Sequence, residues 1–169
     1  MTRIPLKRIA AIAFWLALLA VAIWARGAAA FELSGAGARL GSLDPDGWND
    51  GLAMGAHLEF EQADTRVHLQ PNFIYWSRNG LSDFNPNFDL YYHFGAAGHV
   101  SPFVGGGAGI HAYSYDGPGS PGTDLGANLF MGVMFPSSTA RFFVEGRYAA
   151  TDRSQTSIMG GVTLPLTRR

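Results

Sequence analysis

Most of the chain alternates between apolar and polar residues. The clearest stretch runs from Leu52 to Glu61, where every second residue is apolar: Leu52, Met54, Ala56, Leu58 and Phe60. The intervening positions hold a different set: Ala53, Gly55, His57, Glu59 and Glu61. Successive side chains of a β-strand point to opposite faces of the sheet, so a repeat of two residues predicts a strand.

Eight such stretches follow residue 30, and they predict an all-β chain. Their ranges are 31–41, 52–61, 66–76, 83–94, 102–113, 124–135, 141–148 and 158–166. The first and fifth stretches contain many glycines, which blur the alternation. No stretch after Ala30 repeats with the period of a helix. We therefore predict eight antiparallel strands in an up-and-down barrel.

The alternation alone leaves open which face of the barrel is apolar, because a soluble lipocalin-like barrel has the same period with its apolar face inward. Aromatic residues favour an apolar outer face, since they lie near both ends of the strands, where a membrane barrel carries its aromatic girdles. The predicted girdle residues are Phe60, Phe94, Phe135 and Phe142 at one end, and Tyr75, Phe84 and Tyr148 at the other. The pattern thus predicts a transmembrane β-barrel of the outer membrane.

The predicted connections fall into two groups, one at each end of the barrel. Connections 62–65, 95–101 and 136–140 are expected to be short periplasmic turns. Longer loops outside the cell are expected at 42–51, 77–82, 114–122 and 150–155, in keeping with the asymmetry of outer-membrane barrels. Loop 114–122 is rich in glycine and proline and is predicted to be mobile.

The first 30 residues have the layout of a cleaved secretory signal peptide. A basic start with Arg3, Lys7 and Arg8 precedes an uncharged run from Ile9 to Ala25, and small residues follow before Phe31. The alternative is an uncleaved membrane anchor, because the run approaches the length needed to span a bilayer. We expect cleavage, which leaves residues 31–169 as one barrel domain.

Composition excludes several classes of function. Residues 1–30 carry four of the 12 Lys and Arg residues and none of the 13 Asp and Glu residues, so the mature chain has a formal charge of −5. It has no lysine, although lysine normally covers the surface of a soluble domain. Basic clusters are absent, which excludes a nucleic-acid partner. The absence of cysteine excludes disulfides and thiolate chemistry.

The polar face is predicted to fill the barrel, because an eight-stranded barrel is only wide enough for its own side chains. We expect a structural network of ion pairs and hydrogen bonds, since buried polar groups need partners. A tight turn at 62–65 would place Glu61 opposite Arg66 and Glu59 opposite His68. The predicted network residues are His57, Glu59, Glu61, Arg66, His68, Gln70, Asp89, His93, Asn128, Glu145 and Arg147.

Other chemistry is weakly supported by the sequence. The histidines lack the spacings of metal sites, so no metal and no cofactor are predicted. Asp44, Asp46 and Asp50 resemble a calcium loop, but Gly55 occupies the position of its final acid, and a turn-rich loop is the better interpretation. Ser157 could serve a lipid A hydrolase, although no His-x-Ser motif accompanies it.

The chain resembles the small outer-membrane β-barrel domains related to the membrane domain of outer membrane protein A. The residues that carry the resemblance are Pro102-Phe-Val-Gly-Gly-Gly-Ala-Gly-Ile110, Phe143-Val-Glu-Gly-Arg-Tyr148 and Gly160-Gly-Val-Thr-Leu164. The resemblance implies the fold and little about activity. The chain departs from the family by ending in Arg169 rather than an aromatic residue. It also has Pro71 and Pro86 within paired strands, where a bulge or early strand end is expected.

Three hypotheses for function remain. The first is a porin-like barrel without enzyme activity that acts as a structural element, a surface interaction element or a narrow passage. Its partners would be outer-membrane lipid, lipopolysaccharide and the outer-membrane assembly machinery, and the barrel would be a monomer. The second is a barrel that binds or transports small hydrophobic molecules in a cavity lined by Phe130, Met134 and Phe143. The third is a hydrolase with Ser157 beside a histidine at the lipid-facing rim.

Overall fold

A computed structural model of the protein describes residues 31–47, 49–95, 99–115 and 122–166. Eight antiparallel strands close into a barrel in chain order, and β1 pairs with β8. The strands are β1 Phe31–Pro45, β2 Gly51–Gln62, β3 Val67–Arg78, β4 Leu81–His93, β5 Ser101–Tyr115, β6 Thr123–Pro136, β7 Arg141–Ala150 and β8 Gln155–Pro165. The predicted all-β, eight-stranded architecture is confirmed. The predicted signal peptide and most of loop 114–122 lie outside the described residues.

The connections do not show the predicted difference in length between the two ends. We call the end with connections 46–50, 79–80, 116–122 and 151–154 the loop end, and the end with 63–66, 94–100 and 137–140 the turn end. The predicted long loop 77–82 is wrong, because Arg78 lies opposite Leu81. Asn79 and Gly80 alone make this connection, with φ of 51° and 77°. Positive φ at both residues is the geometry of a type I′ hairpin.

Pro71 and Pro86 cause gaps in pairing rather than the predicted bulges. The β2–β3 pairing stops at His57–Asn72 and resumes at Phe60–Leu69, so both strands skip the same number of residues. The β4–β5 pairing is interrupted in the same way beside Pro86. There, the Asn85 side-chain amide donates to the Ile110 carbonyl at 3.0 Å. This amide replaces the backbone donor that proline lacks.

The two faces of the barrel are inverted relative to a soluble protein. Large apolar side chains on the outer face are exposed, among them Leu125, Leu129 and Ile158 at 59–76%. Among the described residues, the buried side chains include 19 polar or charged and 14 apolar ones. The alternative of a barrel with its apolar face inward is therefore wrong. All seven predicted girdle residues lie on the outer face, Phe60 half-buried and the others exposed; their contact with a lipid interface stays a prediction.

Two apolar clusters share the interior with the polar side chains. The aromatic cluster consists of Tyr91, Phe103, Phe130, Met134 and Phe143. The aliphatic cluster consists of Leu43, Ala53, Ile74, Trp76, Leu81 and Met159. Glycines make room for the aromatic rings: a Cβ on Gly161 would collide with Phe143, and one on Gly132 would collide with Phe103.

None of the described residues forms a helix that is long and apolar enough to cross a membrane.

Candidate functional site in the barrel interior

The centre of the barrel contains a charge-balanced network of two arginines and two acids. Arg147 contacts Asp89 at 2.7 Å and Glu145 at 3.0 Å, and Arg39 contacts Glu145 at 3.2 Å. These four side chains come from β1, β4 and β7 and are at most 5% exposed. Because each charge has an opposite charge in contact, the network avoids the large cost of an unpaired buried ion.

Amides and aromatic rings hold this central network in place. Arg39 donates to the side chain of Gln70, and Asn72 donates to Asp89 at 2.7 Å. The Arg147 guanidinium lies 4.4 Å from the centre of the Phe130 ring, within the range of a cation–π contact. The network therefore links strands on opposite sides of the barrel and contacts the aromatic cluster.

A second polar group lies near the turn end. The turn-end cluster consists of Glu59, His68, Tyr91, His93 and Arg141. Arg141 contacts Glu59 at 2.7 Å, and His68 lies 3.5 Å from the same carboxylate oxygen. The His68 ring stacks on Tyr91 at 5.0 Å and meets the His93 ring edge-on at 4.8 Å. The Glu59 carboxylate thus contacts both an arginine and a histidine.

A third polar group lies near the loop end. The loop-end cluster consists of Asp83, His111, Tyr113 and Gln155. The His111 Nδ1 lies 2.7 Å from an Asp83 carboxylate oxygen, and neither side chain is exposed. Gln155 donates to Asp83 at 3.2 Å and also contacts the Tyr113 hydroxyl. This cluster pairs one acid with one histidine.

The structure places nine of the eleven predicted network residues inside the barrel, each at most 8% exposed. These nine are His57, Glu59, His68, Gln70, Asp89, His93, Asn128, Glu145 and Arg147. The His57 Nε2 lies 2.8 Å from the Thr163 hydroxyl, with which it forms a hydrogen bond.

Arg66 and Glu61 differ from the prediction. Arg66 is exposed in a connection of the turn end, and it donates to the Phe94 carbonyl at 3.2 Å. Glu61 is half-buried and lies opposite His68. The predicted register, with Glu61 opposite Arg66 and Glu59 opposite His68, is wrong, because the turn occupies residues 63–66, one position later than expected. This change shifts β3 by two residues against β2. Glu59 reaches His68 diagonally instead.

The prediction missed Arg39, Asp83 and His111. Arg39 and His111 lie on the two glycine-rich strands, where the alternation that marks inward positions is blurred. Asp83 was placed at the start of a strand, although β4 begins at Leu81. A useful signal was available for β4, whose inward positions from Asp83 to His93 are all polar or tyrosine.

The described residues leave little space for a ligand beside the aromatic cluster. A cavity beside Phe130, Met134 and Phe143 has a volume of about 10 Å³, which is close to the minimum for one water molecule. The predicted cavity for small hydrophobic molecules is therefore wrong, because aromatic rings fill it.

The geometry predicted for a hydrolase is also not found. Ser157 is 4% exposed and points inward rather than toward the lipid-facing rim. Within the described ranges, no hydrogen bond joins it to a histidine. Asp83 and His111 have the arrangement of an acid–base pair, but both are fully buried. No group of His, Asp and Glu side chains among the described residues could hold a metal ion.

Comparison with solved structures identifies the fold. Neisserial surface protein A is 14% identical with a TM-score of 0.65, and the match covers 78% of this chain and 94% of that one. The N-terminal β-barrel domain of Pseudomonas aeruginosa OprF is 13% identical with a TM-score of 0.63, covering 80% and 99%. The chain has the fold of the small eight-stranded outer-membrane barrels.

The same fold does not decide activity. The outer membrane enzyme PagL matches at 15% identity and a TM-score of 0.52, covering 78% of this chain and 99% of that one. A surface protein and an enzyme thus share this architecture, as expected when function depends on local sites. No protein-family model and no curated protein matches the chain.

Proposed function

We propose that the protein is an integral outer-membrane barrel with a structural role, closed to solutes and without catalysis. The observation that carries the proposal is the inverted barrel, with apolar side chains outside and charged side chains inside. A closed barrel also pairs its backbone groups between strands, which a hydrocarbon environment requires. Residues 1–30 would direct export as a cleaved signal peptide.

The filled interior supports a closed barrel rather than a passage. Ion pairs connect β1, β4 and β7 across the centre, and the cavity beside the aromatic cluster is about 10 Å³. Three connections of the loop end are short, at 46–50, 79–80 and 151–154. They offer little surface to a protein partner, which favours a structural role over surface interaction. The partners we propose are outer-membrane lipid, lipopolysaccharide and the assembly machinery, with the barrel as a monomer.

Arginine substitutions on the outer face test the membrane location. Leu129 lies near the middle of β6, and Leu125 lies near its loop end. In a lipid bilayer, Leu129→Arg should lower the free energy of unfolding by about 2–4 kcal/mol and Leu125→Arg by about 0–1 kcal/mol. Unfolding in urea from lipid vesicles measures both. Equal losses at the two positions would contradict a membrane-embedded outer face.

Planar-bilayer recordings test whether the barrel is closed. Purified residues 31–169, folded in detergent, should give no reproducible conductance steps near neutral pH, because charged side chains fill the interior. The Arg147→Ala variant is the comparison in which conductance steps are expected, because it lacks the side chain that joins Asp89 and Glu145. Regular steps from the unsubstituted protein would replace the structural role with a passage for small solutes.

A further inference from the structure

His93 is enclosed by rings near the turn end of the barrel. Its ring centre lies 4.8 Å from that of His68, 5.2 Å from that of Tyr91 and 5.8 Å from that of Phe103. Its Nδ1 lies 3.1 Å from the Ser101 hydroxyl, and the residue is 8% exposed. In the part of the chain that the structure describes, no hydrogen bond or ion pair joins His93 to a carboxylate.

The charges around His93 are already paired. Glu59 from β2 is occupied by Arg141 from β7 at 2.7 Å and by His68 from β3 at 3.5 Å. Arg66 is fixed next to β4 by its bond to the Phe94 carbonyl. Glu61 of β2 lies opposite His68 and is half-buried. The surroundings therefore hold two arginines and two acids, whose formal charges cancel without a charge on His93.

We propose that His68, Tyr91 and His93 form an acid-sensitive lock at the turn end. The lock stabilises this end while His93 is neutral and weakens it when His93 takes up a proton. The inference goes beyond a structural role, because it gives the closed barrel a condition under which one end loosens. It concerns the folded protein in any environment and does not depend on the membrane location.

The sign of the effect follows from the charge count. Imidazole titrates near neutral pH in water, so the unfolded chain takes up protons as the pH falls below about 6.5. In the folded barrel, a proton on His93 would place a buried charge among rings and beside a second titratable imidazole. His68 differs, since a proton there meets Glu59. Because the unfolded state binds the His93 proton more readily, stability must fall as the pH falls.

Protons have a route to this end of the barrel. A cavity of about 210 Å³ opens at the turn end and is lined by Ser34, Glu61 and Arg141, among others. Ser34 and Arg141 both contact Glu59, the acid beside His68. Glu59 thus connects two lining residues of this cavity to His68 of the lock.

Thermal unfolding in detergent at about pH 7.5 and about pH 5.5 tests the lock. The unsubstituted protein should lose about 5 °C in Tm between the two conditions, and His93→Gln should remove part of this loss. The remainder is expected from His57, which is also buried and bonds Thr163. Glutamine keeps a hydrogen-bonding group for Ser101 without a titratable ring. The matched control is His99→Gln, at an exposed histidine of the same β4–β5 connection, which should keep the full loss.

A second variant, His93→Phe, and imidazole NMR keep the test decisive if His93→Gln destabilises the fold. Phenylalanine keeps an aromatic ring in contact with His68 and Tyr91, and it should reduce the pH dependence as much as glutamine does. The imidazole resonance of His93 is identified by its absence from the spectrum of His93→Gln. In the unsubstituted protein, this resonance should show a neutral ring down to the pH at which unfolding begins. A full pH loss in both variants, or a His93 that titrates normally in the folded protein, would overturn the proposal.

Discussion

The two ends of the barrel interior both contain an acid, a tyrosine and histidine, but the acid has a different partner at each end. At the loop end, one histidine and one aspartate face each other at 2.7 Å, supported by Gln155. At the turn end, two histidines share a region with one buried carboxylate, Glu59, which already binds Arg141. His111 faces its acid directly, whereas no hydrogen bond or ion pair joins His93 to a carboxylate among the described residues.

The response of a buried histidine to a proton therefore depends on its partner rather than on the residue type. His111 and His93 are both buried on neighbouring strands, and both contact a tyrosine ring. Only His111 contacts an acid. The central network of Arg39, Asp89, Glu145 and Arg147 lies between the two clusters and is neutral by itself, so each end keeps its own charge balance.

Removing the acid at each end should give the largest contrast. Glu59→Gln leaves the Arg141 guanidinium without its ion-pair partner, and we expect a loss of about 3 kcal/mol in the free energy of unfolding. Asp83→Asn should cost less, about 1–2 kcal/mol, because its partner His111 is an imidazole, which unlike a guanidinium need not carry a charge. Urea unfolding in detergent at neutral pH measures both losses.

A matched substitution on the same strand controls for the chemistry of the Glu59 change. Glu61→Gln alters a half-buried acid two residues away and should cost less than Glu59→Gln. Equal losses for Glu59→Gln and Asp83→Asn would show that the two ends do not differ in charge balance. The comparison between the clusters would then fail.

The fold followed from the sequence because strand alternation is a local property. The period of two placed six of the eight strands, and β1 and β5 followed from their position in the chain. The inward positions in β2, β3, β4 and β7 followed from the same period. The positions and lengths of the turns were harder to predict from the sequence. Asn79-Gly80 is a strong hairpin signal, yet the predicted strands 66–76 and 83–94 left a loop of six residues between them. Gln62 to Thr65 suggested a tight turn, and the true turn lies one position later.

The interior network was only partly predictable, because it depends on contacts between distant strands. Glu145 and Arg147 stood out on an alternating strand, but their partner Arg39 lies on a strand where Gly35, Gly37 and Gly41 hide the pattern. Which acid meets which base depends on the register of strands that are far apart in sequence. Arg39 and Glu145 are 106 residues apart, and no local pattern joins them.

The ends also differ in the apolar side chains that pack beside the polar groups. Two neighbouring glycines test how tightly the aromatic cluster is packed. The aromatic cluster extends toward the turn end, and Phe143 covers Gly161, where a Cβ would also lie 2.7 Å from the Ala38 carbonyl. Gly161→Ala should therefore cost about 1–3 kcal/mol by overpacking. Gly160→Ala, with its nearest atom at 3.8 Å, should be neutral or slightly stabilising. Urea unfolding compares them. Similar stabilities would mean that the Phe143 ring moves freely, and that the aromatic cluster is looser than the ion pairs beside it.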